Sequence, residues 1–293
     1  MNNIKECCVK YKIKIKRIKK TNNYIIIYSD KNNYLLKDNS KLTHLFKYFE
    51  KINYDNYLPL ISDDADNYEL YIYYSSIEDS EKKSYELVNV LINLHLKSLY
   101  YEEIDIDKLY AEYNDKIDSL MNYYLKLQDY IEYFLNPSID YRIFMENISI
   151  FYRIISLSKR ILDNWYSKKI SKVRKCYCIN KVNLNNFILS DKNYFIDYSS
   201  CDKDYLIKDF YMFYKEELFN VDIIKLFNLY RDKLNLTDEE IELFFINICI
   251  PLKIELSNDV SYNMKLIEKE INYINKTLEF VLKEYEKDKK TNE

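Results

Sequence analysis

A chain of 293 residues with 48% hydrophobic content is long enough to bury a substantial core. Its 44 basic and 47 acidic side chains leave a net charge of −3, which supplies no global field for nucleic acid. Glycine is absent, so a Walker loop, a GxGxxG turn and a glycine-capped helix end are excluded, and turns must draw on Asn and Asp. The six cysteines fall as Cys7-Cys8, Cys176-x-Cys178, Cys201 and Cys249, spacings that match no zinc motif. With no signal peptide ahead of them, they read as reduced thiols of a cytoplasmic protein. The longest apolar run, 241–256, is broken by Glu242, Asn247, Pro251, Lys253 and Glu255 and is not expected to span a membrane.

Taken in order, residues 9–37 predict three antiparallel strands. VKYKIKIKRI alternates apolar and basic residues, NYIIIYS is a buried-type run, and NNYLLK follows a turn at 30–33. Lys12, Lys14 and Lys16 share one face, a solvated strand face or a surface for an anionic partner. SKLTHLFKYFEKI has helical period over 40–52, with Ser40 as N-cap and Leu42, Leu45, Phe46 and Phe49 on one face. Its His44 reads as a surface residue. Strands around YLPLI and NYELYIYY complete a five-stranded set. The polar SSIED and an amphipathic helix over 81–99, ending LINLHLKS, come next. Residues 105–168 are helical with a break at Asn136-Pro137-Ser138. Further helices are expected near 203–217, 220–232, 238–249 and 258–286, the third opened by a capping box at Thr237. The last carries a narrow heptad-type stripe, suited to packing on the helical part or to a partner helix.

The stretch 174–210 carries the chemistry. Three short β-type runs (CYCI, NFIL, YFIDY) alternate with turn-forming residues before a helical segment begins. Asn186 and Asp197 flank the turn Ser190-Asp191-Lys192-Asn193, and Asp209 follows. Asn and Asp are hard oxygen ligands, and a short hairpin can hold the pair over one divalent cation. Equally, the two can be ordinary turn and strand-end residues of an Asn-rich hairpin.

The layout resembles the catalytic segment of the aminoglycoside phosphotransferase and choline kinase-like superfamily, nearest its spore-coat CotS branch, whose pattern reads H-G-D-x-x-x-x-N, then I-D-F/Y, then D-L. The L-x-x-L-H-x-x-S pattern around His95 resembles the matching helix of that superfamily, where the His is structural. The resemblance implies Asn186 and Asp197 as metal-binding residues and Asp209 as the brace of the loop. It also implies Lys37 as the ATP-binding lysine, converging on that pair, with Glu50 as its partner. Ile179, Asn180 and Lys181 then stand where the family has His, Gly and the catalytic Asp. A Lys ammonium has no lone pair for a substrate proton and repels Mg²⁺, so the resemblance speaks for the fold and against ordinary catalysis.

The implied fold is α+β, a two-lobed protein kinase-like structure with a small antiparallel β-rich lobe over 1–76 and a large helical lobe over 77–293. The implied function is a catalytically degenerate kinase-like protein, a pseudokinase serving as a spore-coat-associated binding or structural module, with ATP and Mg²⁺ as the cofactors of that fold and an unknown protein partner. Two alternatives stay open: an active small-molecule phosphotransferase with a relocated base, and a helical interaction scaffold without a nucleotide site.

Overall fold

The computed structural model describes residues 2–21, 24–38, 42–62 and 66–291. They form a mixed α+β fold with a small antiparallel sheet and a large helical part. The chain divides into two compact units, Met1–Tyr100 with Lys175–Leu234, and Tyr101–Arg174 with Asn235–Glu293. Position 76, the expected lobe boundary, lies inside the first of these.

In the first unit, α1 (Asn2–Lys10) precedes β1 (Ile15–Lys20), β2 (Ile25–Ser29), β3 (Asn33–Asp38) and β4 (Tyr68–Tyr73), which pair antiparallel in chain order. Between β3 and β4 lies α2 (Thr43–Lys51). The expected strand beginning at Val9 is displaced, because Ile4 and Cys7 of α1 bury against Ile27, Leu36 and Leu70. That apolar burial outweighs the alternation of the flanking lysines. Strand formation starts only at Ile15, and all six residues of this edge strand are exposed, with Lys16 paired to Asp30 at 2.7 Å. Lys12 sits in the turn before it. The expected strand at YLPLI is reduced to isolated bridges at Tyr57 and Leu60, because Pro59 has no N–H to give a ladder. The sheet therefore has four strands rather than five. Helix α2 starts later than expected, and its proposed cap Ser40 lies outside the described residues.

Helix α3 (Ser80–Ser98) is capped by Asp79, whose carboxylate accepts from the Lys82 N–H, and buries Leu87, Val88, Leu91, Leu94 and His95 on one face. The chain returns to this unit through β6 (Lys172–Cys178), a 3-10 turn (Leu184–Asn186) and the two-residue hairpin strands β7 (Phe187–Ile188) and β8 (Tyr194–Phe195). Here β5 is Tyr100–Glu103, at the point where the chain leaves the unit. Residues 203–205, expected to open a helix, belong instead to β9 (Asp202–Tyr205), antiparallel to β6. Pairing with Lys175–Cys178 fixes them as strand, and the helix α6 (Lys208–Glu217) starts after the turn. Helix α7 (Ile223–Leu234) packs on α3.

The second unit holds α4 (Ile106–Glu132), α5 (Ile139–Ser167), α8 (Asp238–Ile248) and α9 (Val260–Thr291), with α5 packed against the other three. The Thr237 capping box forms as expected, Thr237 and Glu240 each bonding to the other's backbone N–H. In this glycine-free chain, positive φ angles fall on Lys12, Asn53, Lys169, Asn180 and Asn235, three of them the residue that tolerates that region best after glycine. No helix among the described residues is long and apolar enough to cross a membrane.

Candidate functional site

Every residue singled out along 174–210, together with Lys37, Glu50 and His95, belongs to the first unit. The β7–β8 hairpin that carries Asn186 and Asp197 at its ends is pinned from several directions. Ile77 donates its N–H to the Leu189 carbonyl at 2.8 Å, and Tyr74 N–H bonds to the Tyr194 hydroxyl at 3.0 Å. Asn56 donates to the Asn193 carbonyl at 2.9 Å, and Asn193 in turn donates to Glu86 at 3.0 Å.

Across the hairpin, Asn186 works as a brace. Its Oδ1 accepts the Asp197 N–H at 2.9 Å, and its Nδ2 donates to the carbonyls of Lys181 at 2.7 Å and Asp197 at 3.3 Å. The Lys37 ammonium at the end of β3 donates to Asp197 Oδ1 at 2.9 Å and to the Ile196 carbonyl at 3.2 Å. Thus Lys37, Asn186 and Asp197 converge although 160 residues separate the lysine from the carboxylate.

Lys181 joins them. Its ammonium donates to Asp197 Oδ2 at 2.8 Å and to the Ser199 hydroxyl at 3.0 Å. With the Ser199 N–H on Oδ1 at 3.0 Å, the carboxylate is hydrogen-bonded through both oxygens. Burial works against its ionisation, yet the bonds from Lys181 and Lys37 outweigh that and hold the carboxyl well below the usual range.

Glu50 is not brought to Lys37. It lies exposed on α2 beside Tyr57, whose phenol is raised first by burial and then by the Glu50 carboxylate. On the neighbouring strand the acid across from Lys37 in the β3–β4 register is Glu69, 3% exposed and accepting from the Tyr71 hydroxyl at 2.7 Å. Its one available sequence signal was a lone Glu inside the strand run YELYIY.

Beneath the loop lies a second centre. Asp209, fully buried at the start of α6, accepts the Ile179 N–H at 2.7 Å, the Asn180 N–H at 2.8 Å and His95 Nε2–H at 3.1 Å. The Tyr230 hydroxyl donates to the Leu206 carbonyl at 2.6 Å, so its oxygen is the acceptor for His95 Nδ1–H at 2.8 Å. Both ring nitrogens therefore donate, and His95 is an imidazolium. Burial is the largest influence and would lower its pKa, but the bond to Asp209, the contact with Cys178 and the nearby negative charge together outweigh it, and the pKa rises to about 9. No local spacing links His95 to this partner, because Asp209 lies 114 positions further on.

Cys176 and Cys178 crowd the same imidazole, with ligand atoms within 4.8 Å of one another and the two sulfurs 3.7 Å apart. Zinc needs thiolates and an imidazole lone pair. Here both imidazole nitrogens are spent as donors. The Cys176 thiol is pushed up by burial, and that of Cys178 by its bond to Cys176 and then by burial. The cluster fits neutral thiols packed on a buried ion pair.

A magnesium ion, which the resemblance implies for Asn186 and Asp197, fits the upper centre poorly. Both Asp197 oxygens are bonded to ammonium groups, and Asn186 Oδ1 already accepts a backbone N–H. At about 4 Å and an effective dielectric constant near 20, like unit charges repel by roughly 4 kcal/mol, and a divalent ion would meet two such ammoniums.

These features define a kinase-like phosphotransferase fold, and solved structures agree. An aminoglycoside phosphotransferase from Alicyclobacillus acidocaldarius is similar with a TM-score of 0.69 at 9% identity, over 93% of each chain. A spectinomycin phosphotransferase in its AMP-bound complex gives 0.60 at 15% identity, over 94% of this chain and 97% of that one. A choline/ethanolamine kinase family protein from Mesorhizobium loti gives 0.53 at 11% identity, over 95% and 97%. No family model matches the chain, and no curated protein matches it.

Proposed function

We propose that this chain is a catalytically degenerate kinase-like protein, a binding or structural module rather than a phosphoryl-transfer enzyme. The observation that carries the reading is the Lys181 ammonium bonded to Asp197 Oδ2 at 2.8 Å, at the position where the superfamily pattern has its proton-accepting Asp. An ammonium cannot accept the proton of an attacking hydroxyl. The CotS-like pattern of 174–210 supports association with a spore coat from the cytoplasmic side, through a protein partner. ATP remains the candidate ligand because solved structures of the same fold include an AMP-bound phosphotransferase.

An active small-molecule phosphotransferase with a base elsewhere is the competing reading, favoured by the preserved geometry of Asn186, Asp197 and Asp209. Incubating the purified protein with radiolabelled ATP and aminoglycosides, choline, ethanolamine or simple sugars separates the two. Transfer is expected to be undetectable, since loss of a general base typically removes about 10²–10⁴ in rate. Turnover that disappears in Asp197→Ala would establish the enzyme instead.

A further inference from the structure

We infer that Lys181 is a tethered cation standing in for a divalent ion beside Asp197, so that the Lys37–Asp197–Lys181 centre receives phosphate-bearing anions without metal. The inference rests on the non-catalytic reading above and adds the ligand class and its metal independence. Three observations carry it.

The first is how Lys181 is held. Asn186 Nδ2 fixes its carbonyl at 2.7 Å, while Asp197 Oδ2 and Ser199 Oγ fix its ammonium at 2.8 and 3.0 Å. The lysine is thereby positioned at both its backbone and its charge, which a decayed loop residue pointing into solvent would not be. The Asn186 Oδ1 that should share a metal with Asp197 accepts the Asp197 N–H at 2.9 Å instead, while its Nδ2 holds Lys181.

The second is the donor inventory. An ammonium has three N–H groups. Among the described residues, Lys181 spends two, on Asp197 and Ser199, and Lys37 spends two, on Asp197 and the Ile196 carbonyl. Each keeps one N–H for a further acceptor. The side chain of Lys181 is 44% exposed, so an anion arriving from solvent meets it directly.

The third is charge. Lys37 is buried and faces two carboxylates, Asp197 and, in the β3–β4 register, Glu69, which accepts from the Tyr71 hydroxyl. The positive charge presented to solvent is therefore that of Lys181. A divalent cation would raise the positive charge around Asp197 without finding a vacant carboxylate oxygen. A phosphate oxygen instead accepts the remaining N–H donors and pairs with the exposed Lys181 ammonium.

Calorimetric titration of the purified chain with ADP and with inorganic pyrophosphate, first in EDTA and then in excess MgCl₂, tests this directly. Binding is expected in EDTA, with a dissociation constant that Mg²⁺ changes by no more than about twofold, less than 0.5 kcal/mol on the usual conversion. In Lys181→Asp, checked for folding by circular dichroism, the EDTA binding should be lost and Mg²⁺-dependent binding should appear. Tightening of the wild type by Mg²⁺ of about tenfold or more overturns the inference. So does a lack of binding in both conditions. If Lys181→Asp does not fold, Mn²⁺ paramagnetic resonance on the wild type decides: no bound Mn²⁺ supports the tethered cation, and bound Mn²⁺ that Asp197→Asn removes overturns it. Failure to bind any anion leaves the non-catalytic reading intact, whereas phosphoryl transfer to an acceptor overturns that reading irrespective of the metal result.

Discussion

Two carboxylates of one sequence segment, Asp197 and Asp209, each meet a cation, and their surroundings differ sharply. Asp209 and His95 are both completely buried, and the carboxylate also holds two backbone N–H groups of the loop. Asp197 is 14% exposed and lies between a buried Lys37 and a Lys181 open to water. The lower pair is closed to water, so removing one member strands the other's charge in a medium that cannot solvate it. The upper pair can exchange partners, because one of its cations already touches solvent. The lower pair thus fixes the loop, and the upper one is where a ligand can compete.

The largest expected effect tests the first half of that contrast. Asp209→Ala should cost about 3–5 kcal/mol, because it leaves an imidazolium and two loop N–H groups buried without an acceptor. Urea denaturation of wild type and variant measures it, and a loss under about 1 kcal/mol would mean that the pair does not hold the loop. Asp197→Ala should cost less, about 1.5–3 kcal/mol, mainly through the buried Lys37, with Lys181 turning to water.

The pH dependence sharpens the comparison. The folded pKa of His95, about 9, lies above its ordinary value of 6.5. Its contribution is therefore complete below pH 6.5 and is lost as pH rises through 9, at a slope of about 1.4 kcal/mol per pH unit. The stability gap between wild type and His95→Gln should shrink across that window. Asp197, with its folded pKa depressed, contributes above its unfolded value and loses that contribution only as pH falls into strong acid. The smallest effect is expected for Lys181→Met, about 0–1 kcal/mol, since its ion pair is half open to solvent. A cost above about 2 kcal/mol there would make Lys181 as structural as His95.

Much of this could be read from the chain before folding was considered. The strands IIIYS and NYLLK, the LH helix, the break at Pro137 and the Thr237 box are local patterns, and each formed. Helix α1 was missed because its burial depends on a sheet that the sequence has not yet formed there. The strand at 202–205 was missed for the same kind of reason, as its partner β6 supplies the pairing. In the site, residues linked by a short hairpin were readable, and Lys181 bonds to Asp197. Glu50 was assigned by position alone, and no local pattern could show that Lys37 would sit across from Glu69 instead. Nor could spacing reveal that Cys176 and Cys178 line up behind His95, since C-x-C is an ordinary strand alternation until a helix packs on it.

The left-handed residue Asn180 has a consequence of its own. It occupies φ 59 beside Lys181, with its N–H on Asp209 and its side-chain amide on the Ser200 carbonyl at 2.8 Å. A glycine there would reach the same backbone angle more cheaply but would forgo the side-chain tether. The loop's shape is thus tied to a side chain that can be mutated rather than to freedom from one. Asn180 thus ties the backbone that Lys181 continues to Asp209 and Ser200, holding the charge centre in place without touching it.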